Sequence, residues 1–236
     1  MALTEAGSIY LTRVRGLLTE LEETNRGLKQ PNTPASGRFR IAAPTALGLS
    51  LIAPAIADFM GAQPHVVIKL DLLDRTIDLV EEDYDMALRV DESAESSPYL
   101  RSLGQMEMGL FSSPTYLAHH GRPRGPADLG THRALFLASQ QSWNLRGGPC
   151  EKPKLQFCSN RLEALKTLCL AGQGIALLPL FLVRSEIQHN ELVQLLDGFE
   201  PKPLNLVLAT SPQRSETNSS RLFQQFLETR FRRLRF

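Results

Sequence analysis

Three apolar runs separated by helical punctuation constrain the first half of this chain more than any other feature. Residues 38–43 alternate in polarity and stop at Pro44, as a strand does on entering a turn. Leu51, Ile52, Ala55, Ile56 and Phe59 then repeat at helical spacing, and Pro54 is expected in the first turn, where its missing N–H does no harm. Residues 66–72 read as a second strand, residues 74–80 as a short helix capped by Asp74, and residues 85–90 as a third strand. Strand–helix–strand–helix–strand with short loops dictates parallel strands joined by right-handed crossovers.

The second half repeats the theme. Strands are expected at 106–111, 133–138, 142–145, 154–158, 175–178, 192–196 and 204–209. Ser112-Ser113-Pro114 opens one helix, Asn160 is expected to cap another, and Gly172-Gln173-Gly174 ends it with glycine in the left-handed region. Pro179 starts a short helix, and a final one at 221–231 carries Leu222, Phe223, Phe226 and Leu227 on one face. Two α/β lobes of similar make result, with crossing strands near 100–111 and 203–210. The last helix returns to the first lobe.

Ahead of these lobes runs a different element. Tyr10, Val14, Leu17, Leu21, Thr24 and Leu28 step alternately by four and three, the a/d spacing of a heptad. A helix with one apolar stripe needs a partner, so residues 1–30 read as a connector and dimerisation arm. Pro31, Pro34 and Gly37 mark the hinge that follows. The resulting division is 1–30 arm, 31–37 hinge, 38–107 with 209–236 lobe I, and 108–208 lobe II.

Composition excludes several classes. Charged residues make up 22% of the 236 and hydrophobic ones 42%, so a globular core is expected and a disordered chain is not. The net charge of +1 supplies no global attraction to nucleic acid or an anionic membrane. No apolar run is expected to reach membrane-spanning length, and no secretory signal is visible. Three cysteines are too few and too odd for a disulfide framework, which points to a reducing, cytoplasmic setting. The five histidines lack metal-ligand spacing, so no metal or cofactor is expected. No nucleophile elbow or phosphate-binding glycine loop is present, and no enzyme activity is expected.

Six stretches in order resemble one family, the LysR-type transcriptional regulators. They are residues 3–11, 37–44, 74–90, 113–117, His120-Gly121 and 171–179. The resemblance implies two Rossmann-like lobes of periplasmic-binding-protein type II architecture behind a linker helix. It implies a homodimer or homotetramer, a small-molecule effector in the inter-lobe cleft, and DNA reading by a winged helix-turn-helix. The chain opens at or just after the wing of that module, so sensing and oligomerisation are the expected parts here. A stand-alone solute-binding protein and a cleft enzyme are the alternatives.

Ligands of open α/β folds bind beyond the carboxyl ends of strands. That rule selects Thr45 and Ala46 after the first strand, Arg89 and Val90 at the end of the third, and Ser112, Ser113 and Asn160 before helices. Helix N-termini offer free N–H groups, so a small organic anion is the expected ligand class. Capping and turn formation are the competing role for these polar residues, and Arg89 has the alternative of a solvated strand end. The resemblance favours Thr45 and Asn160. The resemblance also implies that a peroxide switch could be built on a cysteine pair such as Cys150 and Cys158, eight apart, but ordinary thiols are the expected reading. The basic run at 230–235 reads as a solvated helix end.

Overall fold

The computed structural model describes residues 10, 14, 36–91, 97–140, 142–146, 152–211 and 217–231. Tyr10 and Val14 are helical, and Tyr10 is well exposed. Leu17, Leu21, Thr24, Leu28 and Cys150 lie outside the described residues, so the heptad arm and a 150–158 cysteine pair do too.

Strand β1 (Ser36–Ala43) leads into a continuous helical run, α1 (Thr45–Ala62). The run starts earlier than its apolar spacing predicts, because residues Gly48–Ile52 form a π turn. Pro54 follows that turn at the head of the regular stretch Ala53–Ala62. Proline cannot donate and crowds the carbonyl four residues back, and a widened turn ahead of it relieves both demands. Gly48 opens the π turn, and a side chain there would run into Leu72. By length and composition α1 also suffices to cross a membrane, so the expectation that no run reaches that length does not hold. Here its Ile52, Ala55 and Phe59 are buried against the sheet.

Strands β2 (His65–Leu72), β3 (Met86–Asp91) and β4 (Leu100–Met106) extend the first sheet. β1 pairs in parallel with both β2 and β3. The expected helix at 74–80 is absent. Residues 74–83 form bends and turns, with Ile77 and Leu79 buried beside Tyr84, and Asp78 accepts from the N–H groups of Val80 and Glu81.

The chain leaves this sheet at Glu107 and enters lobe II through β5 (Met108–Ser112). The expected single strand at 106–111 is therefore two strands in two sheets. Helix α2 (Pro114–His120), a 3₁₀ turn (Pro126–Thr131), β6 (Arg133–Leu137), β7 (Lys154–Ser159), α3 (Leu162–Leu170), β8 (Ile175–Pro179), α4 (Leu180–Gln188) and β9 (Val193–Leu195) complete the lobe. The sheet order is β7-β6-β8-β5-β9, with β6 parallel to β7 and β8, and β5 antiparallel to β8. No strand forms at 142–145. Trp143 instead buries against Phe136, ring centroids 5.0 Å apart. Asn160 caps nothing: Arg161 holds the N-cap position of α3 without a side-chain cap, and Asn160 is exposed.

Strand β10 (Leu204–Thr210) returns to the first sheet between β3 and β4, giving β2-β1-β3-β10-β4. All of β10 belongs to lobe I, so the return falls before Leu204 and not at 209. Helix α5 (Asn218–Phe231) closes over lobe I. Its Phe223 meets Phe39 at 5.1 Å and Phe59 at 5.0 Å. Fully burying one such side chain contributes about 1.5–3 kcal/mol. The main apolar cluster runs from these rings through Met106 and Met108 at the crossover to Phe136 and Ile175 in lobe II.

Candidate functional site

The topology fixes which strand ends face each other. In lobe I, Asn205 at the start of β10 pairs with Asp91 at the end of β3, and Leu204 pairs with Met106 at the end of β4. The carboxyl ends of the parallel strands therefore lie at the crossover. In lobe II, the Leu180 N–H donates to the Glu107 carbonyl at 3.0 Å, which brings the end of β8 to the same place. Both lobes thus turn the carboxyl ends of their parallel strands toward one seam, where loops and free N–H groups gather.

Three side chains meet there. Thr45, at the head of α1, donates its N–H to Asp74 Oδ1 and its hydroxyl to Asp74 Oδ2, each at 2.8 Å. Arg161, at the head of α3 in lobe II, donates Nη1 to both Thr45 Oγ1 and Asp74 Oδ2. The Asp74 side chain is 18% exposed and that of Arg161 44%, so the cluster sits at a solvent-reached edge. The sequence offers Asp74 only as a helix cap and does not point to Arg161. A carboxylate just beyond β2 and an arginine just beyond β7 satisfy the strand-end rule, and that was the available signal.

The residues selected from sequence fall into three groups. Thr45 is in the seam, Ala46 is buried behind it, and exposed Asn160 immediately precedes Arg161. Val90 is half-buried near the end of β3, while exposed Arg89 spends one guanidinium nitrogen on the Ile77 carbonyl at 3.1 Å. Ser112 and Ser113 lie elsewhere. β5 is antiparallel to β8, so its carboxyl end points away from the crossover. Ser112 is fully buried and donates to the Gly174 carbonyl at 2.9 Å, and Ser113 caps α2 by accepting from the Tyr116 N–H at 3.2 Å.

Among the described residues no group of three His, Cys, Asp or Glu side chains is placed to hold a metal ion. Cys158 is exposed on edge strand β7. Cys169 is buried, donates to the Phe111 carbonyl at 3.2 Å, and has its thiol pushed up to about 12 by burial.

Two mixed sheets linked by a double crossover, with polar side chains of both at the seam, define a two-lobed ligand-binding domain. The sequence profile of the LysR substrate binding domain matches residues 32–232. An uncharacterized HTH-type transcriptional regulator of Haemophilus influenzae is 34% identical over 209 residues, 86% of this chain and 73% of the relative. The regulatory domain of CrgA, a LysR-type transcriptional regulator from Neisseria meningitidis, superposes with a TM-score of 0.75 at 28% identity, over 84% of this chain and all of that domain. The full-length virulence activator AphB of Vibrio cholerae gives 0.75 at 27% identity, over 98% of this chain and 81% of that one. This chain belongs to the LysR-type transcriptional regulators, and the two lobes are its effector-binding domain.

Proposed function

We propose that the seam between the lobes binds a small organic anion and that occupancy changes how the lobes close, which regulates transcription. The observation that carries this is the convergence of the Arg161 guanidinium, the Thr45 N–H and the Thr45 hydroxyl on one carboxylate, that of Asp74, with donors contributed by opposite lobes at the carboxyl ends of their parallel strands. A guanidinium, a hydroxyl and a backbone N–H at a helix start form a donor set suited to carboxylate oxygens. Ala46, Val90 and Asn160 border that set, and Arg89 positions the 74–83 segment beside it. Ser112 and Ser113 act as packing and capping groups of lobe II. A ligand shifts closure only by favouring one arrangement over another, and contacts to both lobes meet that requirement.

The working unit is a homodimer or homotetramer paired through the N-terminal arm, acting in the cytoplasm on DNA as regulator and not as catalyst. Calorimetric titration with small aromatic and aliphatic carboxylates tests the ligand class. Binding that is weakened in Arg161→Gln is expected, and no heat from any carboxylate at millimolar concentration refutes it. Sedimentation at graded concentrations checks the assembly, for which a monomer throughout is the contrary result.

A further inference from the structure

We propose that the Asp74 carboxylate is a built-in occupant of the effector's carboxylate seat, clasping the two lobes until an outside anion takes its place. The inference rests on the reading of the seam as an anion site and goes beyond it by naming what fills that site in the free protein. Asp74 accepts from the Thr45 N–H, the Thr45 hydroxyl and the Arg161 guanidinium, so one carboxylate engages all three donor groups, Arg161 through Nη1. Thr45 and Asp74 belong to lobe I, Arg161 to lobe II, and 87 residues separate the ion-paired partners. The aspartate is not a helix cap of its own segment, because residues 74–83 form no helix. Its carboxylate faces the start of α1 and the opposite lobe.

An arriving carboxylate meets the same three donors. Exchange of one carboxylate for another leaves the charge on Arg161 balanced, so the guanidinium is never stranded. Asp74 then leaves, and the two lobes are coupled through the ligand instead of through their own side chains. Both side chains keep solvent access, which makes the internal bond a weak competitor. An exposed ion pair of this kind biases an equilibrium by about three- to fivefold, enough to set a threshold and too little to block entry.

Sodium benzoate titrated by calorimetry into the wild type, Asp74→Asn and Arg161→Gln separates competitor from scaffold. Removing a competitor tightens benzoate binding by about three- to fivefold in Asp74→Asn, and Arg161→Gln weakens it. Unchanged or weaker binding in Asp74→Asn overturns the proposal. The clasp is read independently in ligand-free protein carrying spin labels at Ser50 and Ser185, with Cys150 and Cys158 replaced. The inter-lobe distance distribution should broaden in Asp74→Asn and Arg161→Gln. It should narrow again when Asp74→Arg is combined with Arg161→Asp. An unchanged distribution in both single variants overturns the clasp. Broadening with no heat from benzoate or any other small carboxylate, in any form, refutes the anionic effector and with it the competitor role of Asp74, leaving only an inter-lobe clasp.

Discussion

Each lobe buries a tyrosine whose hydroxyl is tied to a titratable partner, and the two solutions differ in charge. In lobe I, Tyr84 donates to Asp71 Oδ2 at 3.0 Å, and the same oxygen accepts from Arg40 at 2.9 Å. The Arg40 guanidinium also lies over the Tyr84 ring, 4.4 Å from its centroid. Hydrogen bonding from Arg40, helped by Tyr84, holds the Asp71 carboxyl below its ordinary value. In lobe II, Tyr116 accepts from the Arg133 N–H at 2.9 Å and has its own proton left for His132 Nδ1 at 3.3 Å. His120 stacks on the tyrosine ring at 4.3 Å. Burial, reinforced by the nearby His120, pushes the His132 imidazole down, so the Tyr116–His132 pair is uncharged at neutral pH. One lobe uses a charged triad near solvent, the other an uncharged buried pair. Elements of similar make are thus held by groups that fail under different conditions.

The largest test removes neither network. Phe223→Ala takes out the ring that joins α5 to Phe39 and Phe59, and it should cost about 3–5 kcal/mol in chemical denaturation. If the lobes unfold separately, only the lobe I transition moves. A comparable shift in both would show one cooperative unit. Tyr116→Phe should cost about 1–3 kcal/mol, because it leaves the Arg133 N–H and the His132 ring without their shared partner. Asp71→Ala should cost less, about 1–2 kcal/mol, since Arg40 retains solvent access and carbonyl acceptors at Glu82 and Asp83. Reversal of that order would mean that the charged network is the stronger one.

The pH response sharpens the same contrast. His132 has a folded pKa below its ordinary 6.5, so the unfolded chain takes up the proton first. Its contribution is complete above 6.5 and is lost as pH falls through the depressed folded value. The Asp71 contribution is complete above its ordinary 3.8 and fades only as pH falls below that toward the lowered folded value. Urea midpoints measured from neutral to acid pH should therefore show an early loss, absent in His132→Gln, and a later one, absent in Asp71→Ala. The smallest expected effect concerns the thiols. Maleimide at mildly alkaline pH should label Cys158 in the folded protein and leave Cys169 unlabelled until denaturant is added, as mass spectrometry would report.

Most of the architecture was legible because strand runs and helix stripes carry their own periodicity. The alternation at 38–43 and the spacing of Leu162, Leu165 and Cys169 needed no distant partner to interpret. The failures share a cause. Ser112 and Ser113 follow a strand and open a helix, the right local grammar for a ligand loop, but nothing near them says that β5 runs against β8. The segment at 74–80 offered a helix cap in Asp74, yet Ile77 and Leu79 are both buried beside Tyr84, a packing that only the folded lobe provides. The seam role of Asp74, legible only as a helix cap, and that of Arg161 stay hidden because the meaning of each depends on the other, and packing of the lobes creates the pair. Capping by Asn160 was misplaced by a single residue, and Arg161, which holds that position, carries the seam's positive charge.

The hydrogen that Gly48 carries in place of a side chain sets the standoff between α1 and the tip of β2. A methyl group at that position would overlap the Cδ2 end of Leu72, so that side chain must turn aside before anything larger than hydrogen can sit there.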